Sequence, residues 1–174
     1  MLGLKRRADA AAFNDLLGVL RSYERKFRWR RMLTRDNEFA EGYSSMLDLL
    51  AVGLDCYIQN SPDEPRFVNL LSPSRKIGGD NADALYYFAP LQPGKGYRIR
   101  GTMGSAIYLA FTVYGGETPK KFHIVSNAST PDIKVHEDGR FDVHIKAETP
   151  EGNANAVATD ATANCLIVRR YYLD

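Results

Sequence analysis

Apolar residues recur every three or four positions in the first third of the chain, which is the period of an amphipathic helix. The first such stretch predicts a helix from about Asp9 to Met32. The second begins after a polar break, where Thr34 or Asp36 can cap a helix that runs to about Ile58. The first third is therefore predicted to be a helical hairpin, residues 9–59.

The pattern changes after residue 60. Proline and glycine punctuate residues 60–83, which predicts a connector. Short aromatic or β-branched runs then follow, each bounded by Gly, Pro, Asn or Asp, and each predicts a strand. These are 84–89, 97–100, 106–114, 122–126, 133–136, 141–146 and 165–173. Seven strands without intervening helices favour an antiparallel sandwich or barrel, with the first three joined as a meander.

The predicted fold is therefore α+β. We expect a single domain, residues 1–174, in which an N-terminal helical hairpin packs on an antiparallel, jelly-roll-like β-sandwich formed by residues 84–174.

The turn between the fifth and sixth predicted strands fixes a register. A two-residue turn at Asp138-Gly139 would place apolar residues on opposite faces, whereas a three-residue loop, 137–139, with a left-handed Gly139 keeps them together. That loop sets Asp132 opposite His144. A carboxylate beside an imidazole is an acid/base candidate, although the same two residues equally make an ordinary cross-strand ion pair.

Tyrosines and arginines alternate with apolar residues on the central strands. Tyr108 and Tyr114 share one face of their strand, and Arg98 and Arg100 share one face of theirs. If these strands are neighbours, one sheet face presents Tyr and Arg together, which suits a carboxylate or phosphate. The alternative is that the helical hairpin covers this face. The pairs Arg169-Arg170 and Tyr171-Tyr172 place one Arg and one Tyr on each side of the last strand.

Short polar residues precede the first strand. Asp80, Asn81 and Asp83 could bind Mg²⁺ or Ca²⁺ through their oxygens, or they could form an Asx turn that enters the strand. No further carboxylate spacing completes a metal-binding loop, so the turn is favoured.

Composition narrows the classes of function. The 174 residues are 44% hydrophobic and 25% charged, with a net charge of +2, so no global field calls for nucleic acid or an anionic membrane. No apolar run reaches the length of a signal peptide or a membrane span, and a cytoplasmic protein is expected. Cys56 and Cys165 lack metal or disulfide spacing, so we interpret both as reduced, buried residues. No metal and no cofactor are expected.

The run GDNADALYYFAPLQPGKGYRIRGTMGSAIYLAFTVYGG, with EGYSSMLDLLAVGLD before it and CLIVRRYY after it, resembles a bacterial domain of unknown function, family 1214. Asn81-x-Asp83-x-Leu85-Tyr86 is also similar to a signature of the companion family 1254. The resemblance, from about Glu41 to Tyr172, implies a jelly-roll-like sandwich and no assigned activity. Members are commonly longer, so a site could be completed by a downstream segment or by another subunit.

These patterns favour a protein that binds an anionic or amphipathic small molecule. The candidate ligand-binding residues are Arg98, Arg100, Tyr108, Tyr114, Asn81 and Tyr86. The alternative is a cofactor-independent lyase, isomerase or hydrolase whose acid/base residues are Asp80, Asp83, Asp132 and His144. A third hypothesis is a homo-oligomer that assembles through the helical hairpin.

Overall fold

The structure of the chain is a computed structural model that describes residues 2–30, 36–71, 75–78, 81–117, 119–147 and 155–173. Contacts between residues divide the chain into two compact units, which meet between Ala51 and Val52. Each unit is described by itself, and the single domain expected from the sequence stays a prediction.

The first unit contains two helices, α1 (Leu2–Arg30) and most of α2 (Asp36–Gly53). The predicted start of α1 at Asp9 was too late, because the preceding residues are mostly strong helix formers such as Leu, Lys, Arg and Ala. The helices meet where the ring of Phe27 lies over Gly42, at which a Cβ atom would come within 3.1 Å of a ring carbon. The absence of a side chain at Gly42 therefore lets the helices approach.

The second unit begins with the end of α2 and a π-helical turn, Leu54–Ile58. Eight strands follow in the part of the chain that the structure describes, arranged as two sheets. They are β1 (Val68–Asn69), β2 (Ala84–Pro90), β3 (Tyr97–Thr102), β4 (Tyr108–Gly115), β5 (His123–Ser129), β6 (Arg140–Lys146), β7 (Ala156–Ala158) and β8 (Ala163–Tyr171). The larger sheet has the order β1-β2-β8-β4-β5 and the smaller one β3-β6-β7. All pairs are antiparallel except β6 with β7.

The core lies between the two sheets, as expected for a sandwich. The larger sheet contributes alternate residues of β4 and β8, and the smaller sheet contributes alternate residues of β6. The largest of its fully buried side chains are Leu109, Phe111, Val113, Val143, Ile145, Val157 and Leu166. The predicted α+β fold, with a helical N-terminus and a β-sandwich, is confirmed.

The predicted strand at 133–136 is wrong. The three-residue loop before β6 is present, since Gly139 has a φ of 78° and the His136 N–H donates to the Arg140 carbonyl at 2.8 Å. On the N-terminal side of His136 the pairing with β6 stops, because Asn155 lies between this segment and β6. Its side chain bonds the backbone N–H and carbonyl of Lys134 and the carbonyl of Asp142, and β7 then pairs with β6.

The predicted meander of the first three strands is also wrong. β2 pairs with β1 and β8, whereas β3 pairs with β6 in the other sheet. The chain therefore crosses between the sheets both before and after β3. Tight turns at Gly94 and Gly104, both with positive φ, mark the two crossings but do not join neighbouring strands.

Candidate functional site

A cavity of about 260 Å³ lies between the sheets at the side where β3 forms an edge. On the opposite side the sheets are tied together, because the Ser126 hydroxyl of β5 donates to the carbonyl of Ala158 in β7. The cavity is mainly apolar. Its lining includes Phe67, Tyr87, Ile99, Leu109, Phe111, Phe141 and Val168.

Arg170 is one of two arginines, with Arg100, in this mainly apolar lining. Position 170 pairs with Leu109 across the sheet, so the side chain points toward the core side, near the end of the strand. Its Nη2 donates to the carbonyl of Met103 at 2.6 Å, and its buried Nε–H finds no acceptor among the described residues. Gly104, whose φ is 56°, leaves room for the guanidinium, which would lie 3.2 Å from a Cβ atom there.

No carboxylate in the described residues pairs with Arg170. A half-buried cation without a counter-ion is costly in an apolar setting. The arrangement therefore favours an anion that enters the cavity with an apolar group beside it, as expected of many small-molecule sites.

Arg100 lies at the same cavity and also lines a groove of about 860 Å³ on the outer face of the smaller sheet. Arg98 lines only the groove, and its guanidinium binds both carboxylate oxygens of Asp142, with Nε to Oδ1 at 2.9 Å. This contact holds the pKa of Asp142 below its usual range. Arg98 thus has a partner, whereas Arg100 has no ion pair with any residue that the structure describes.

The Tyr and Arg face expected from the sequence is not formed by the expected arginines. Because β3 and β4 belong to different sheets, Arg98 and Arg100 do not share a face with Tyr108 and Tyr114. The arginine on the face of those tyrosines is Arg169 of β8, which pairs with Ala110 and with Tyr86. The prediction that Arg169 and Arg170 point to opposite sides is confirmed.

Arg169 is held by its neighbours. Its Nη1 donates to the Thr112 hydroxyl at 3.0 Å and its Nη2 to the Tyr114 hydroxyl at 2.8 Å. The guanidinium also lies over the rings of Tyr86 and Tyr114, at 5.5 and 6.0 Å from their centroids. Three of the candidate ligand-binding residues, Tyr86, Tyr108 and Tyr114, therefore lie on the outer face of the larger sheet, away from the cavity.

The predicted contact between Asp132 and His144 is absent. Asp132 ends a short 3₁₀ turn and accepts bonds from the backbone N–H and hydroxyl of Ser129 at 3.0 and 3.1 Å. The imidazole of His144 lies instead 3.4 Å from Asp142, on its own strand. The reason is the insertion of Asn155, which stops the pairing that would have brought Asp132 to His144.

The polar entry to β2 contains an Asx turn. The side chain of Asn81 accepts the backbone N–H of Asp83 at 2.9 Å, which leaves the Asn81 oxygen engaged. The Asp83 carbonyl accepts the N–H of Tyr172. Asp80 lies outside the described residues, so the structure describes two of the three residues of the cluster predicted from the sequence.

Both cysteines are buried in a second apolar cluster on the outer face of the larger sheet. The cluster also contains Phe88 of β2, the strand between β1 and β8. Burial raises the pKa of Cys56 to about 11 and that of Cys165 to about 12. Both thiols are therefore protonated at neutral pH, which suits residues that pack and do not react.

The cavity is the part of the site that sequence reasoning missed. Arg170 was placed on one side of β8, but nothing local to Arg170 shows that Phe67, Ile99 and Phe141 come together around it. Only the crossing of β3 to the other sheet brings these residues to one place. The sequence signal for this residue is the pair Arg169-Arg170. Consecutive residues of a strand point to opposite faces, so one of the two arginines must lie on the core side.

A comparison with solved structures supports the fold. The chain is similar to an uncharacterized protein from Burkholderia cenocepacia, with a TM-score of 0.81 and 26% identity over 93% of this chain. The chain spans 45% of that protein's length. A protein from Vibrio parahaemolyticus covers 53% of this chain and 27% of its own length, with 16% identity and a TM-score of 0.41, too low to support an argument.

No protein-family model and no curated protein matches the chain. Among the described helices, none is long and apolar enough to cross a membrane.

Proposed function

We propose that the protein binds a small amphipathic anion in the cavity between its sheets. The observation that supports this is Arg170, a half-buried cation that lacks a carboxylate partner among the described residues and lines a mainly apolar cavity. An apolar tail would replace water along Phe111, Phe141 and Val168, and the anionic end would approach Arg170 and Arg100.

The volume limits the tail. A water-sized group takes roughly 30 Å³ in a liquid, so a cavity of about 260 Å³ holds about nine such groups. An eight-carbon chain is therefore a suitable probe of the cavity. Long-chain lipids would have to leave part of their chain outside.

Octanoate tests the proposal directly. Titration calorimetry on the whole chain should show binding of octanoate and much weaker binding of octanol, which has the same tail without the charge. In Arg170→Met the affinity for octanoate should fall roughly 10- to 100-fold, the value of one charge-assisted hydrogen bond. Ile99→Trp, which fills the cavity from its half-buried wall, should abolish binding.

Arg169→Met is the matched control, since it removes the neighbouring arginine on the other face of the same strand. Its affinity for octanoate should equal that of the natural chain. The proposal fails if octanoate does not bind at millimolar concentration, or if octanol binds equally well.

Other predictions made from the sequence stay proposals. They are membership of family 1214, a bacterial origin, jelly-roll connectivity, a cytoplasmic location and assembly through the helical hairpin. The enzyme alternative has lost its predicted Asp132 and His144 pair, and no observation now favours it over binding.

A further inference from the structure

The groove on the smaller sheet adjoins the cavity. Arg100, Gly101, Thr102 and Phe141 line both spaces, so the end of β3 and the start of β6 form a shared rim. At this rim the ring of Phe141 occupies the place of the side chain that Gly101 lacks, 2.6 Å from where a Cβ atom would be. A ligand whose tail lies in the cavity would therefore carry its head group into the groove.

The groove is rich in guanidinium groups. Three arginines line it, Arg98, Arg100 and Arg140, together with His136. The guanidinium of Arg98 donates to both carboxylate oxygens of Asp142. Arg140 is paired with Asp138 at 3.3 Å, but the side chains are 75% and 55% exposed, so water competes with this pair and the arginine can exchange partners readily.

Arg100 and Arg140 are thus the two guanidiniums that an incoming head group can bind. They occupy neighbouring strands at one end of the small sheet, where the register sets Arg100 opposite Asp142 and Thr102 opposite Arg140. A carboxylate has two oxygens and one charge, which suits a single guanidinium fork. A phosphate monoester has three free oxygens and a charge between about −1.5 and −2 at pH 7, which suits two.

We propose that the ligand is an amphipathic phosphate monoester, with its tail in the cavity and its phosphate between Arg100 and Arg140. This deepens the proposed function and rests on it. His136, which is exposed on the same groove, would lie beside the phosphate as a further donor.

Octyl phosphate, octanoate and inorganic phosphate separate the contributions when each is titrated into the whole chain at pH 8, where the phosphate is a dianion. Octyl phosphate should bind at least 10-fold more tightly than octanoate, and inorganic phosphate much more weakly than either. Arg140→Gln should bring the affinity for octyl phosphate down to that for octanoate and leave octanoate binding unchanged.

Lys146→Gln is the matched control, because Lys146 lies on the same outer face of β6 but does not line the groove. It should change neither affinity. Equal binding of octyl phosphate and octanoate would overturn this inference and leave the proposed function standing. Binding of inorganic phosphate as tight as that of octyl phosphate would overturn a site that spans the cavity and the groove. If neither amphiphile binds, both proposals fail.

Discussion

Two consecutive arginines of β8 meet opposite surroundings on the two faces of the larger sheet. On the outer face, Arg169 finds two hydroxyls and two aromatic rings within reach. On the inner face, Arg170 finds two backbone carbonyls, the ring of Tyr172 at 5.8 Å, a mainly apolar cavity and no acceptor for its Nε–H among the described residues.

The difference shows how burial and pairing decide the role of a cation. The guanidinium of Arg169 is satisfied by its own chain, so it contributes to stability and offers little to a ligand. That of Arg170 has its charge uncompensated and lies where an external anion would be least screened by water. A residue left incomplete by the fold is the better candidate for binding.

The largest expected effect is on stability, when a buried side chain on the inner face of the larger sheet is compared with an exposed one on the outer face. Phe111→Ala removes a side chain that is 0% exposed on the inner face and packs edge-on against Phe141, with ring centroids 5.6 Å apart. The free energy of unfolding, measured with urea, should fall by about 3–5 kcal/mol, because a cavity replaces a close-packed ring.

Ile124→Ala is the control on the outer face. Ile124 pairs with Tyr114 and is 60% exposed, so its loss should cost about 0.5 kcal/mol or less. Similar losses for the two variants would mean that the space between the sheets is not the main core.

The sequence predicted which residues are buried better than it predicted which strands are neighbours. In β4 the period of two puts Phe111 and Val113 on the apolar face, and both lie in the core, because each side chain alternates with its own neighbours. The pairing of β3 with β6 joins distant parts of the chain; the side chains of Arg98 and Asp142, which are in contact, are 44 residues apart in sequence. This pairing depends on the whole sandwich and produces no local sequence pattern. The predicted face of Tyr and Arg failed for this reason.

The second failure has a different cause. The loop at Gly139 was predicted correctly from its turn chemistry, but Asn155 displaced the strand that should have followed the pattern. One amide side chain supplied both a donor and an acceptor to Lys134, and so replaced the strand pairing there. A single polar residue from a distant segment cannot be recognised by the periodicity of the strand that it displaces.

An intermediate effect should separate the two arginines by stability. Arg169→Met removes two hydrogen bonds from a charged donor and two contacts with aromatic rings, so the free energy of unfolding should fall by about 1–3 kcal/mol. Arg170→Met should cost about 1 kcal/mol or less without ligand, because it also removes a buried N–H that has no acceptor.

Urea unfolding of both variants, without and with octanoate, checks this order. Octanoate should stabilise Arg169→Met as it does the natural chain and should stabilise Arg170→Met much less at the same concentration. If Arg170→Met proves the more destabilised of the two without ligand, the guanidinium of Arg170 is a structural group, and the contrast between the faces is wrong.

The smallest expected effect tests the hydroxyl that holds Arg169. Tyr114→Phe keeps the ring, which stacks on Phe122 at 4.9 Å, and removes only the acceptor of the Arg169 Nη2. The free energy of unfolding should fall by about 0.5–1.5 kcal/mol, and in the background of Arg169→Met the same change should cost almost nothing. Tyr108→Phe is the control, because the Tyr108 hydroxyl makes no hydrogen bond within the described residues, and it should change stability by less than about 0.5 kcal/mol. Additive losses in the double variant would show that the Tyr114 hydroxyl acts independently of Arg169, and the outer face would then have a cation as available to a ligand as the one in the cavity.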